Sequence, residues 1–393
     1  MFLIIVKIQR SCRETHPLTQ ILIPFNNLAP AHARSKDAIT AAIAGVLDRA
    51  YYLLGIELEA FEAAFAAYHG VGYAVGVANG TDAIELALRA GDIGAGDEVI
   101  TVAHTAVPTV CAIESTGACP VFVDIDPVTY TLDPAQLDGA LTSRTRAIIP
   151  VHLYGQAANM DAISAFAQQH DLLLVEDCAQ AHGARWCGRL VGTFGQMAAF
   201  SFYPTKNLGA YGAGGAVLTN DAALAARLRR LRSYGQSARY VHDERGINSR
   251  LDEMQAAILR VKLVQLDSYN TERQMVAALY TAALSGLDVL SLPCADERAQ
   301  HVYHLYVVQH PDRDTLMARL TARGVGTLIH YPIPVHRQVA YADLGWGEGS
   351  LPVTEAAARS ILSLPLYIGM GDLAETTAQI VREEVLAMQG NLN

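Results

Sequence analysis

The chain has 393 residues, 51% hydrophobic and 17% charged, with a formal net charge of -10. That composition excludes a disordered chain, and the acidic balance argues against a nucleic-acid binder, which carries a basic excess or a basic face. The length exceeds one typical core, so two domains are expected.

The chain opens with Met1-Phe-Leu-Ile-Ile-Val6, an apolar run shorter than a signal-peptide core and without a basic residue before it. Residues 1–20 are therefore set aside as an extension. From about residue 34 the pattern is helical; Phe61, Ala64, Phe65 and Tyr68 mark one apolar face, and Gly70 is the expected C-terminal cap. A regular alternation follows. Tyr73–Val77 reads as a strand, Thr81–Ala90 as a helix, and Val99–Val102, Val121–Val123 and Ala147–Val151 as strands. Asp161–Gln169 is helical, Leu172–Glu176 an apolar strand, and Met197–Phe202 and Ala216–Leu218 two more. Strands alternating with helices predict an α/β domain with a mostly parallel sheet covered on both faces. Such a sheet binds ligands beyond its strand C-terminal ends.

A helix is expected over Asp252–Leu266, after which the pattern changes. Val302–Val308 reads as a strand, and Thr315–Arg323 as a helix closed by Gly324. Thr354–Leu362 and Ala374–Met388 read as further helices. The expected division is a large domain over 21–268 and a smaller α+β domain over 269–393, with the first helix able to pack on the smaller one. No stretch reaches the roughly 20 apolar residues of a membrane span. The six cysteines are scattered without CxxC or another metal spacing, so buried thiols, a reducing cytoplasmic setting and no metal are expected.

Three strand ends carry candidate chemistry. Leu172-Leu-Leu-Val-Glu-Asp177 ends an apolar strand in acids that either face a ligand or cap the next helix. Ser201-Phe-Tyr-Pro-Thr-Lys206 leads into a glycine-rich loop. A loop lysine is usually solvated, but in a partly desolvated pocket it becomes nucleophilic and forms Schiff bases. Ala78-Asn-Gly80-Thr81-Asp82 turns a strand into a helix; it is an ordinary capped turn or, with Ser201 and Thr205, a phosphate site. Together the three fit one phosphorylated cofactor.

In these motifs the sequence resembles the DegT/DnrJ/EryC/StrS sugar aminotransferases, pyridoxal-phosphate (PLP) enzymes of aspartate-aminotransferase fold, fold type I. The resemblance runs from about Ile23 to Met370. It rests on Gly76-Val-Ala-Asn-Gly-Thr-Asp82, Glu176-Asp-Cys-Ala-Gln-Ala-His-Gly183, Ser201-Phe-Tyr-Pro-Thr-Lys-Asn207, Asn248-Ser-Arg-Leu-Asp-Glu-Met-Gln255 and Ile329-His-Tyr-Pro-Ile-Pro-Val-His336. Within the family the chain is most similar to enzymes aminating nucleotide-linked 3-keto-6-deoxyhexoses. The resemblance implies a seven-stranded sheet, a homodimer, PLP alternating with pyridoxamine phosphate, and glutamate as amino donor. It implies Lys206 as Schiff-base lysine and proton carrier, and Asp177 on the pyridinium nitrogen. Gln180 would contact the ring's phenolic oxygen, and Ser201, Gly80 and Thr81 the phosphate. Asn248 would serve the partner subunit's cofactor. Tyr203, His330 and Tyr331 are the expected sugar contacts, with domain packing the other reading of the last two.

Three positions depart from the family pattern. Ala106 occupies the usual place of a ring-stacking aromatic, with His104 a possible substitute; Ile56 stands for a proline and Ala213 for an acid. Competing expectations are a PLP-dependent sugar dehydratase, disfavoured because Lys206 is present, and another fold type I enzyme, disfavoured by the 330–336 segment. A non-catalytic PLP-binding regulator is the third, unsupported by any DNA-binding motif.

Overall fold

The computed structural model describes residues 22–390, so the expected 1–20 extension lies outside the described residues. A seven-stranded sheet organises the larger part of the chain. Its strands are β1 (Tyr73–Val77), β2 (Glu98–Val102), β3 (Cys119–Val123), β4 (Thr145–Ile148), β5 (Leu173–Asp177), β6 (Met197–Ser201) and β7 (Gly215–Thr219), in spatial order β1-β7-β6-β5-β4-β2-β3. All neighbouring pairs are parallel except those of β7, which runs antiparallel to both β1 and β6. This is the expected fold type I sheet.

Side chains alternate across it with the period of two that a pleated strand imposes. Val75, Val99, Ala147, Val175, Met197 and Val217 enter one core, while Ala74, Ile100, Ile148, Leu174, Ala198 and Ala216 enter the other. Both faces are thus covered, as a mainly parallel sheet requires. The helices around it are α1 (Ala29–Arg49), α2 (Ile56–His69), α3 (Gly80–Ala90), α4 (Val107–Ser115), α5 (Met160–Gln169), α6 (Ala222–Leu231) and α7 (Glu253–Leu263). Helix α3 is the one most enclosed: Ala83, Ile84, Leu86, Ala87 and Leu88 are all buried. The Asn79 side chain caps it by accepting from Asp82 N–H at 2.9 Å, which fixes its N-terminus at the end of β1.

A second core gathers Ile23, Tyr280, Tyr306, Leu316, Leu362 and Val381. It is built from α8 (Leu266–Leu284), β8 (Tyr306–Gln309), α9 (Arg313–Ala322), β9 (Ile361–Leu364) and α11 (Leu373–Gly390), with β8 and β9 antiparallel, while α10 (Pro352–Ser360), which leads into β9, sends Ala357 into the sheet core. One expectation is corrected. The helix expected over 354–362 ends at Ser360, and Ile361–Leu364 is a strand, because a short apolar run does not distinguish the two periods. Residue 268 falls in the first turn of α8, whose Leu266 packs in the sheet core and whose Val276 packs in the second. The chain therefore crosses between the cores inside a helix, without a linker. Among the described residues no helix is long and apolar enough to cross a membrane.

Candidate active site

Five loops leaving strand C-terminal ends converge on a pocket of about 270 Å³. It brings together Gly80 and Thr81 after β1, Asp177 and Gln180 after β5, and Ser201, Tyr203 and Lys206 after β6. Ala106, Thr109 and Val151 close it from the loops after β2 and β4.

Lys206 is placed by its own loop. Its N–H donates to the Tyr203 carbonyl at 2.8 Å, and Ala210 N–H donates back to the Phe202 carbonyl at 2.8 Å. Gly209 lets the loop close: a Cβ there would lie 2.4 Å from the Pro204 carbonyl oxygen. The next residue, Asn207, is buried and anchors the loop by donating to the Asn270 side chain and the Val302 carbonyl. Burial lowers the Lys206 ammonium from 10.5 to about 8, with the Asp177 charge pulling the other way.

The two adjacent acids at the end of β5 are separated by strand alternation. Asp177 joins the pocket; Glu176 faces away and is fully buried. Glu176 accepts from the N–H groups of Gly192, Phe194 and Gly195, and pairs with His152 Nε2 at 3.1 Å. The His152, Glu176 and Cys178 donor atoms lie within 4.8 Å of one another, but His152 Nδ1 already accepts from Ala158 N–H. Hydrogen bonds give this trio a structural account. Asp177 accepts from Thr109 Oγ1 at 2.8 Å and from Ala179 N–H at 3.1 Å. Burial nevertheless raises its carboxyl above the usual range, so a cation at this spot would be strongly favoured.

The residues fit a phosphorylated, cationic ring. Gly80 approaches β6 so closely that a Cβ would meet the Ser201 Cβ at 2.6 Å. This sets the Ser201 hydroxyl beside the N-terminus of α3, where free N–H groups and the helix dipole favour an anion. Gln180 Oε1 accepts from Tyr154 N–H at 2.8 Å, so the amide NH₂ is the end left to donate.

Tyr203 stands half-exposed on the pocket rim. His330 and Tyr331 meet the pocket through neighbours: His330 Nδ1 pairs with Ser363 Oγ at 2.9 Å, and the Tyr331 hydroxyl accepts from Gln180 Nε2 at 3.2 Å. Asn248 is exposed and does not line its own chain's pocket, although the adjacent Ser249 hydroxyl accepts from Ala78 N–H. Ala106 does line it, but His104 does not take over as a stacking residue. It is buried behind the wall with Nε2 at 2.9 Å from the Tyr154 hydroxyl. Sequence reasoning missed Thr109 and Tyr154, which reach the site from 68 and 26 positions away from their partners.

Comparison with known proteins agrees with this geometry. Residues 33–383 match the DegT/DnrJ/EryC1/StrS aminotransferase family. The chain is 52% identical over 344 residues to a dTDP-3-amino-3,4,6-trideoxy-alpha-D-glucose transaminase of Streptomyces venezuelae, covering 88% of this chain and 91% of that one. It is 45% identical over 365 residues to a pleiotropic regulatory protein of Geobacillus stearothermophilus, covering 92% and 97%. Among solved structures, S. venezuelae DesV in complex with a ketimine intermediate superposes with a TM-score of 0.91 at 50% identity, covering 92% and 98%. With a lysine and a carboxylate sharing a strand-end pocket, and with this extent of likeness, the chain belongs to the DegT/DnrJ/EryC1/StrS aminotransferase family.

Proposed function

We propose that this chain is a PLP-dependent aminotransferase that moves an amino group from glutamate to a nucleotide-linked keto-sugar, at C-3 of a dTDP-linked 3-keto-6-deoxyhexose. The observation that carries the reading is one pocket holding Asp177 together with Lys206, whose amine burial lowers to about 8. The 3-amino sugar in the name of the Streptomyces relative supports the choice of carbon and nucleotide.

The chemistry PLP supplies when bound is condensation of its aldehyde with amines and electron withdrawal by its protonated ring. This chain's residues do the rest. Lys206 Nζ, about half neutral near pH 8, is the nucleophile and then the group that takes and returns a proton. Asp177, held by Thr109 and Ala179, keeps a ring nitrogen protonated. Gly80, Thr81 and Ser201 seat the phosphate, and the free Gln180 N–H donates to the ring oxygen. Ile84, Ala106 and Pro108 give the pocket an apolar wall that limits water. Tyr203 contacts the sugar, His330 and Tyr331 complete the acceptor side, and Asn248 reaches the cofactor of a second copy in a cytoplasmic homodimer.

The test is the visible absorption of the PLP-loaded protein. Glutamate should bleach the band, and a dTDP-linked 3-keto-6-deoxyhexose should restore it. A band that responds to neither compound would sink the reading and favour a regulator, the role named for the Geobacillus relative.

A further inference from the structure

Tyr154 is the residue through which the cofactor side and the acceptor side of the pocket are joined. It lies in the tight turn Leu153–Gly155 after β4 and is only 3% exposed. Its backbone is left-handed, with φ 60°, a conformation that a bulky side chain adopts at a cost. Every polar group it has is used. Its N–H donates to Gln180 Oε1 at 2.8 Å, and its carbonyl accepts from Leu305 N–H at 3.2 Å. Its hydroxyl donates to the His330 carbonyl oxygen, which can only accept. That hydroxyl therefore receives from His104 Nε2 at 2.9 Å, and burial holds the His104 imidazole neutral, at about 4.

These bonds close a ring. Tyr154 N–H holds the Gln180 carbonyl, Gln180 Nε2 holds the Tyr331 hydroxyl, Tyr331 is bonded to His330, and the His330 carbonyl returns to the Tyr154 hydroxyl. We propose that Tyr154 is a positioning residue that fixes the 330–331 segment against Gln180, so that the acceptor half-reaction depends on its hydroxyl while the donor half-reaction does not. The proposal rests on the aminotransferase reading above. The orientation of Gln180 depends on the Tyr154 N–H, which any substitution but proline preserves. The orientation of 330–331 depends on the hydroxyl, which phenylalanine removes.

The experiment compares wild type with Tyr154→Phe as PLP-loaded full-length protein, with Gln180→Ala as the contrast. Amide hydrogen exchange should rise in peptides covering 329–336 of Tyr154→Phe and stay unchanged in those covering 177–183. The visible band and the rate of bleaching by glutamate should stay within about twofold, while KM for the keto-sugar nucleotide rises about tenfold, the scale set by losing, of the hydroxyl's two bonds, the one that holds the His330 carbonyl. Gln180→Ala should instead alter the band itself. Unchanged exchange at 329–336, or equal losses in both half-reactions, would overturn the proposal. If wild type itself rejects the keto-sugar nucleotide, the substrate assignment fails. The exchange pattern together with the glutamate half-reaction still decides the role of Tyr154.

Discussion

Lys206 and Asp177 are each destabilised by the burial that makes them useful. Water is a better solvent for either charge than the pocket, so the lysine is lowered and the carboxyl raised, and each partly offsets the other. The sign of the consequence for stability is definite. Between about 8 and 10.5 the unfolded chain keeps a proton on Lys206 that the folded chain has lost, so this residue's contribution to stability improves as pH rises through that window. Below it the buried charge is a full cost. Lys206→Met should therefore raise the melting temperature of the PLP-free protein at pH 7, with the advantage over wild type shrinking toward pH 10, while turnover is abolished. A variant that melts lower than wild type at pH 7 would mean the amine is well solvated in the pocket. The placement of these two residues in one pocket was legible because strand-end position and flanking glycines are local. Thr109, which holds Asp177, was not readable, since nothing near it in the chain announces a partner 68 residues on.

At the scale of elements, the site depends on how closely α3 meets β6. Asn-Gly-Thr reads as a capped turn or an anion seat; in the structure Asn79 caps, and Gly80 yields the space beside Ser201 on which the proposed phosphate seat depends. Gly80→Ala separates these roles. Alanine suits a helix better than glycine, by about 1 kcal/mol in a helix interior and by less at this first position, which works for the fold. Its Cβ, 2.6 Å from that of Ser201, must push the proposed phosphate seat open. The expected result is a PLP-free melting temperature close to wild type, with PLP affinity reduced at least tenfold in a spectral titration. Undiminished affinity would place the phosphate seat elsewhere. Strand positions were legible from their apolar runs and bounding turns, but the antiparallel direction of β7 was not. Gly215–Thr219 reads the same either way, and only its pairing with both β1 and β6 fixes it.

Across the whole molecule, the two cores are tied by a carboxylate that no motif contains. Helix α10 begins after Leu351, whose side chain cannot cap it. The cap comes instead from Asp124, just beyond β3, which is 2% exposed. It accepts from Val353 N–H at 2.8 Å through one oxygen, and from Thr354 N–H at 2.8 Å and Ile125 N–H at 2.9 Å through the other. Helix α10 runs directly into β9, where Ser363 holds His330, so this brace extends from the sheet to the 330–331 segment. Replacing Asp124 by alanine leaves at least two buried N–H groups unpaired and should cost about 2–3 kcal/mol. Asparagine keeps one acceptor oxygen and should cost less. In urea unfolding followed by tryptophan fluorescence and by circular dichroism, both variants should shift the midpoint in the order wild type, Asn, Ala. The two probes should stay coincident if the second core cannot persist without the first. Probes that separate in the alanine variant would show that the cores unfold independently once the brace is gone, and that α8, crossing between them without a linker, does not couple them by itself.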